Sequence, residues 1–142
     1  GVILVILPNL SGSKINGATK KLGDNIMLMV NNRRLYSDTF WFTLLHEIGH
    51  IINKDYGISF DKELGEQEQA ADEYAANKLI PFQVYSEFLN EGQFGRDAIC
   101  IFAKKIKRDP AIVVGRLQKD KIVPYDDREL NGLKHKYRVK MN

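Results

Sequence analysis

The segment WFTLLHEIGHII, residues 41–52, places three titratable side chains inside an otherwise apolar run. His46 and His50 are four residues apart, so on a helix both imidazoles project from one face about one turn apart. Two nitrogen ligands at this spacing suit a tetrahedral Zn²⁺. Glu47 lies about 100° further round the helix, outside the pair but close enough to act as general base on a water at the metal. The alternative for this pattern alone is a surface histidine pair with a charged neighbour.

The segment EQEQAADEYAANKLIP, residues 66–81, contains carboxylates that could complete such a site. On a helix, Glu68 and Asp72 share one face with the small residues Ala71 and Ala75, which favours close contact with another helix. Carboxylates on a core-facing stripe are costly unless they are paired or bind a metal. We therefore assign Glu68 as the third ligand and Asp72 as the partner that accepts the free N–H of a ligand histidine. The reverse assignment stays open, as does a pair that merely borders a solvated helix face.

Hydrophobic periodicity and turn residues predict the elements that must position these side chains. VILVIL, residues 2–7, is typical of a buried strand, and Asn16-Gly17 of a tight turn. NIMLMV, residues 25–30, indicates a second strand, either an edge strand that pairs with a substrate backbone or an ordinary core strand. The remaining elements are a polar loop over 54–65 and five helices: 37–53 with Ser37 or Asp38 as N-cap, 66–79, one from Pro81, 96–107, and one capped by Asp109.

Length and cysteine content bound the class of protein. At 142 residues the chain fits a single domain, residues 1–142, and its start at Gly1 without Met predicts a C-terminal fragment of a longer protein. No apolar run reaches the roughly 18 residues that a membrane span needs. Cys100 is the one cysteine, so an internal disulfide is ruled out and a reducing compartment is favoured. We therefore expect a cytoplasmic protein.

Two longer stretches carry a family resemblance. FWFTLLHEIGHIIN (residues 40–53), followed by the pattern ExxADxYAANxLIP (residues 68–81), resembles the ImmA/IrrE family of zinc metallopeptidases. Members of that family pair FTlxHExxH with a second helix of pattern E-x-x-A-[DN]-x-[FY]-A-A-x-x-L-x-P. The stretches KINGATKKLGDNIMLMVNNR and IFAKKIKRDPAIVVGRLQ are similar to the variant that is fused behind a helix-turn-helix antitoxin-like or repressor-like domain. These 142 residues do not contain the helix-turn-helix region expected of that variant.

The resemblance implies an α+β, zincin-like fold, in which a small mixed β-sheet packs against the HExxH helix and a second, Glu-bearing helix, with a helical C-terminal part. It implies His46, His50 and Glu68 as metal ligands and Glu47 as the catalytic glutamate, in agreement with the helix geometry. The cofactor is then one Zn²⁺ per chain, although a site of two histidines and a glutamate also accepts Mn²⁺. The implied activity is hydrolysis of a peptide bond in a protein substrate, a helix-turn-helix repressor or antitoxin-type regulator.

Two other functions compete with this interpretation. The first is a metal-binding regulatory or interaction module with little proteolytic activity, against which the intact Glu47 argues. The second is DNA binding by the basic end, because residues 103–142 hold 12 Lys and Arg against 5 Asp and Glu. Apolar residues interleave with those charges and favour core-packed helices with a solvated face, so direct nucleic-acid binding is not expected. A donor to the oxyanion is not identifiable from sequence, and His135, Tyr56 and Tyr74 are candidates by chemistry alone.

Overall fold

A four-stranded sheet and a set of helices make up the chain in a computed structural model that describes residues 1–8, 12–31, 36–60 and 65–140. The strands are β1 Val2–Leu7, β2 Ile15–Leu22, β3 Asn25–Asn31 and β4 Ile58–Phe60, and the helices are α1 Ser37–Ile52, α2 Glu66–Leu79, α3 Phe82–Glu91, α4 Arg96–Lys105, α5 Pro110–Lys119 and α6 Arg128–Asn131. This is a mixed α+β fold, and the predicted fold class is confirmed.

The sheet has the strand order β1-β3-β2-β4. β1 runs parallel to β3, whereas β2 is antiparallel to both β3 and β4. The strand predicted at residues 25–30 is therefore central, and its Leu28 and Val30 side chains are buried. Of the two alternatives for this segment, the edge strand that pairs with a substrate is wrong and the core strand is confirmed. The edges of the sheet are β1 and β4.

Three predictions about the strands are wrong, each for a physical reason. β1 forms as predicted but is not buried, because it lies at the sheet edge and its first three side chains are about half exposed. Asn16-Gly17 lies inside β2 rather than in a turn. A Cβ at Gly17 would lie 2.6 Å from Cδ of Glu47, so glycine is needed here for close approach of the helix to the strand. Residues 58–60, predicted as loop, pair with β2 as the strand β4.

α1 carries the HEIGH motif and spans nearly the predicted residues. The predicted N-cap is wrong: Tyr36 precedes the helix in extended conformation, and no side chain caps the first turn. Asp38 instead forms an ion pair with Lys134, with 2.9 Å between Oδ2 and Nζ. The helix ends at Ile52 with Asn53 as its C-cap, after which Lys54 has a left-handed φ of 57°. α1 contacts β2 and β3 of the sheet and also α2 and α5, so it links the sheet to the helical part.

The main apolar core lies among the helices that follow α1. α2 ends at Leu79 because Ile80 takes an extended conformation before Pro81. Asp109 accepts a hydrogen bond from the Ala111 N–H, which confirms the predicted cap of α5. The predicted apolar stripes of α4 and α5 pack in this core, which contains Ile99, Phe102, Ala103, Ile112, Val113 and Leu117. None of the helices in the described ranges is long and apolar enough to cross a membrane.

Candidate metal centre

Small side chains bring α1 and α2 into direct contact at the centre of the candidate site. A Cβ at Gly49 of α1 would lie only 3.0 Å from Cα of Ala71 in α2, and Ala71 and Ala75 are fully buried. The small-residue stripe of α2 therefore does face another helix, as the sequence predicts. Because the two backbones are this close, the Glu68 side chain of α2 reaches both histidines of α1.

Three side chains converge on one point between these helices. The Oε2 atom of Glu68 lies 3.1 Å from Nε2 of His46, and its Oε1 atom lies 3.3 Å from Nε2 of His50. The two Nε2 atoms are 3.0 Å apart. Ligand atoms from all three residues thus lie within 4.8 Å of one another, and the two histidines are buried. This is a group of residues that can hold a metal ion.

The other ring nitrogen of each histidine faces a carboxylate. Nδ1 of His46 lies 2.8 Å from Oδ1 of Asp72, and Nδ1 of His50 lies 2.9 Å from Oδ2 of Asp55. An ionised carboxylate only accepts hydrogen bonds, so each Nδ1 is assigned as the donor and a neutral ring keeps its lone pair on Nε2. When both rings are neutral, their two lone pairs and the Glu68 carboxylate converge with no proton between them. Such a donor set suits a divalent cation.

Glu68 and Asp72 occupy the two positions that the sequence analysis distinguished. Glu68 faces the Nε2 atoms, where a metal would bind, and Asp72 faces the outer nitrogen of His46. The geometry therefore favours Glu68 as the metal ligand and Asp72 as the hydrogen-bond partner of His46, rather than the reverse assignment.

Asp55 is a residue of the site that the sequence analysis does not name. It lies in the turn after α1, and its backbone N–H donates to the His50 carbonyl oxygen at 2.9 Å. The same turn brings its carboxylate onto the His50 ring. A signal was available, since metal-binding histidines usually donate to a carboxylate or carbonyl, and Asp55 is the first carboxylate that follows His50.

Lys119 is the second residue that sequence reasoning missed. Its Nζ lies 3.1 Å from Oδ2 of Asp72 and 4.1 Å from the ring centroid of Phe42. It comes from α5, 47 residues after Asp72, so no local spacing in the sequence points to this pair.

Glu47 lies beneath the site, against the sheet. Its side chain is fully buried, and neither carboxylate oxygen has a hydrogen-bond partner in the described part of the chain. Burial raises the pKa of the Glu47 carboxyl, and this outweighs the opposing influence of the nearby Ser59 hydroxyl and of the two histidines. Ser59 lowers that pKa by proximity, although its geometry falls outside a hydrogen bond. A buried carboxyl of raised pKa is suited to take up and release a proton.

The charges around His46 act against its burial. Burial lowers the pKa of the His46 imidazole, but the hydrogen bond with Asp72 and the surrounding carboxylates outweigh it, so the pKa is raised overall. For Asp72, burial raises the pKa of the carboxyl, whereas the contacts with His46 and Lys119 lower it more, so that the net direction is down. Asp72 is therefore held as a carboxylate, the form that accepts from His46.

A cavity of about 530 Å³ opens onto this cluster. His46, Glu68 and Asp72 line it, and it extends along α1 to Asp38, two helical turns away. The three candidates for an oxyanion donor are not among its lining residues. His135 is 62% exposed and lies 3.6 Å from an Asp109 oxygen, so it is a surface residue.

Comparison with known families agrees with the site geometry. The model of one family, described as the IrrE N-terminal-like domain of peptidase family M78, matches residues 3–97, a range that includes both helices of the cluster. No curated protein and no solved structure matches the chain. The family supports a metallopeptidase-like domain, and the cluster of His46, His50 and Glu68 supports a bound metal ion. With a match over more than half of its length, the chain belongs to the IrrE N-terminal-like family of M78 peptidases.

Proposed function

We propose that this chain is a zinc-dependent metalloendopeptidase that hydrolyses a peptide bond in a specific protein substrate. The observation that carries the proposal is the convergence of His46, His50 and Glu68 within 4.8 Å. The carboxylate of Glu47, the residue next to His46, is buried and has no hydrogen-bond partner among the residues that the structure describes. Three protein ligands of this type are the usual set for a catalytic zinc that keeps a fourth position open. Mn²⁺ is the alternative ion for the same donors.

Different residues of the site would bind the metal ion and transfer the proton. His46, His50 and Glu68 would hold the ion through Nε2, Nε2 and a carboxylate oxygen. When bound, the ion supplies Lewis acidity, which activates water near neutral pH and polarises a carbonyl group. Glu47 takes the proton of the attacking water and returns it to the leaving amine, a role that its burial and raised pKa favour. Asp72 keeps the His46 ring in the tautomer that presents Nε2.

The proposed substrate is a helix-turn-helix repressor or antitoxin-type regulator in the cytoplasm. The substrate is supported by the resemblance of the chain to the variant of this family that is fused to such domains. The cytoplasm is supported by the single, unpaired Cys100, which fits a reducing compartment. The groove along α1 gives room for a peptide segment beside the cluster, since the cavity continues from Glu68 to Asp38. We do not propose direct nucleic-acid binding, because the apolar stripes of α4 and α5 are used in the core.

Elemental analysis of the purified chain tests the metal site. We expect about one zinc per chain in the wild type, loss of the metal in Glu68→Ala, and retention in Glu66→Ala. Glu66 is the matched control because it is an exposed glutamate two residues away on the same helix. A wild-type chain that neither contains zinc nor takes it up would overturn the proposal.

A second experiment separates catalysis from metal binding alone. Purified helix-turn-helix regulators are incubated with wild type and with Glu47→Gln, and the products are identified by mass spectrometry. We expect cleavage by the wild type and a loss of about 10²- to 10⁴-fold in Glu47→Gln, with the zinc content unchanged. Cleavage that is equally fast in the variant would exclude Glu47 as the base. Zinc binding without cleavage of any regulator tested would favour the regulatory module instead.

A further inference from the structure

A chain of contacts runs from the surface of α5 into the metal centre. The ammonium group of Lys119 donates to Oδ2 of Asp72 at 3.1 Å, and Oδ1 of the same carboxylate accepts from Nδ1 of His46 at 2.8 Å. Asp72 is thus engaged at both oxygens, by one partner from α1 and one from α5. His46 and Lys119 are 73 positions apart in the chain, so this contact is tertiary.

Asp72 needs a second partner because of where it lies. Its side chain is 43% exposed, so water competes for both oxygens. Rotation about the last bond of an aspartate side chain is also soft, since that torsion is broad and roughly two-fold. A single hydrogen bond to His46 would leave the carboxylate free to turn. An ion pair on the other oxygen fixes the plane of the group.

Lys119 is itself held in place to make this contact. Its Nζ lies over the Phe42 ring at 4.1 Å, a distance at which a cation is attracted by the face of an aromatic ring. Phe42 precedes His46 by one helical turn on α1, and Lys119 is in the last turn of α5. The ammonium group therefore contacts α1 and α2 at the same time, beside the ligand His46.

We infer that Lys119 is a positioning residue of the metal centre, which holds Asp72 in the orientation that accepts the Nδ1–H of His46. The inference rests on the proposed function, because it assumes that His46 binds a metal. It goes beyond the family assignment, since Lys119 lies outside the matched residues 3–97.

The test compares metal affinity and ligand geometry in wild type, Lys119→Met, Lys119→Arg and Lys105→Met, and repeats the Lys119→Met comparison in an Asp72→Asn background. The Zn²⁺ dissociation constant is measured by competition with a chelator, and the visible absorption of the Co²⁺ form reports the ligand field. Methionine keeps the length of the lysine stem without its charge. Lys105→Met is the matched control, an exposed lysine in the last turn of α4.

We expect Lys119→Met to bind Zn²⁺ about 2- to 5-fold more weakly, the range of a partly exposed ion pair, with shifted Co²⁺ absorption bands. Lys119→Arg should stay close to wild type because it keeps the charge, and Lys105→Met should be unchanged. In the Asp72→Asn background, Lys119→Met should have no further effect, because its action passes through Asp72.

Three results would overturn the inference while leaving the metal site intact. These are wild-type affinity and absorption in Lys119→Met, a loss in Lys119→Arg as large as in Lys119→Met, and a loss in Lys119→Met that persists undiminished in the Asp72→Asn background. A wild-type chain that binds neither ion is a different failure, because it removes the proposed function and this inference with it. Far-UV circular dichroism and thermal unfolding confirm that each variant is folded before its affinity is compared.

Discussion

The two histidines of the HEIGH motif are held by carboxylates of different origin. His50 contacts Asp55, which follows it by five residues in the turn after the same helix. His46 contacts Asp72, which lies 26 residues away on α2 and is itself contacted by Lys119 of α5. The first pair is local and the second is tertiary.

The site therefore has a local half, His50 with Asp55, and a tertiary half, His46 with Asp72 and Lys119. The two halves require different parts of the fold in order to form. The contact of His50 with Asp55 requires only α1 and the turn that ends it. The contact of His46 with Asp72 requires α2 to pack on α1 and α5 to bring Lys119 to them. Glu68 depends on the same packing, so the complete donor set exists only in the fully packed fold. Metal binding should therefore be coupled to tertiary structure through His46 more than through His50.

The largest effect is expected from separating α1 and α2 with Gly49→Val. A Cβ at this position already lies 3.0 Å from the Ala71 backbone, so the larger side chain must push the helices apart. Both Glu68 and Asp72 then move away from the histidines. We expect metal affinity to fall by more than the roughly 10- to 100-fold that loss of one hydrogen-bond partner of a ligand costs. Overpacking of this kind also destabilises by about 1–3 kcal/mol, measured by chemical denaturation.

Gly95→Val is the control for this prediction. Gly95 precedes α4 in extended backbone, and a Cβ there meets nothing within 4 Å. Its metal affinity should equal that of the wild type. Wild-type metal affinity in Gly49→Val would show that the site tolerates separation of the two helices. The claim that metal binding requires α2 to pack on α1 would then be wrong.

The parts of the site that follow from sequence are those fixed by helical periodicity. Four-residue spacing puts His46 and His50 on one face, and the small-residue stripe of α2 identifies Glu68 and Asp72 as the inward carboxylates. The bounds of α1 and α2 are also confirmed to within a residue of the prediction. Lys119 could not be found in this way, because its contact depends on how α5 docks. No periodicity within α5 encodes that placement.

The second prediction compares Asp72→Asn with Asp55→Asn. An asparagine has one acceptor oxygen, so at position 72 it must give up either His46 or Lys119. At position 55 the single oxygen can still serve His50, and the backbone contact of the turn remains. We expect Asp72→Asn to weaken zinc binding by about 10- to 100-fold, and Asp55→Asn by about 10-fold or less.

Isothermal titration or chelator competition on the two variants measures this difference. If Asp55→Asn weakened zinc binding as much as Asp72→Asn or more, the local contact would matter as much for affinity as the tertiary one. The proposed difference between the two halves would then be wrong. Both variants should keep the wild-type melting temperature of the metal-free chain to within a few degrees.

The sheet shows where sequence patterns carry less information. A continuous apolar run such as VILVIL predicts a strand, but it does not distinguish a central strand from an edge strand. In the structure β1 is at the edge of the sheet and is partly exposed. Asn16-Gly17 has the composition of a turn, yet both residues lie in β2, where the glycine leaves room for the Glu47 side chain. In both cases the deciding contact comes from another element of the fold.

The third prediction separates the stability of α5 from its role in the site. Asp109 caps this helix by accepting the Ala111 N–H at 2.8 Å, at the end opposite to Lys119. Asp109→Ala should lower the free energy of unfolding by about 1 kcal/mol. Its zinc affinity should stay within about twofold of the wild type, since such a cap holds only the first turn. A larger loss of affinity would mean that the whole of α5, and not only Lys119, sets the geometry of the tertiary half.

The smallest expected effect is a difference in salt dependence between the two halves. The ion pair of Lys119 with Asp72 is 48% and 43% exposed at its two side chains, so dissolved salt screens it. The affinity ratio between wild type and Lys119→Met should therefore be about 2- to 5-fold at low salt and approach one at about 1 M NaCl, where the screening length is roughly 3 Å. The ratio between wild type and Asp55→Asn should change less, because Asp55 is only 24% exposed and faces a buried ring. Chelator competition across a salt series measures both ratios. A Lys119→Met ratio that does not change with salt would show that the lysine does not act through its ion pair with Asp72.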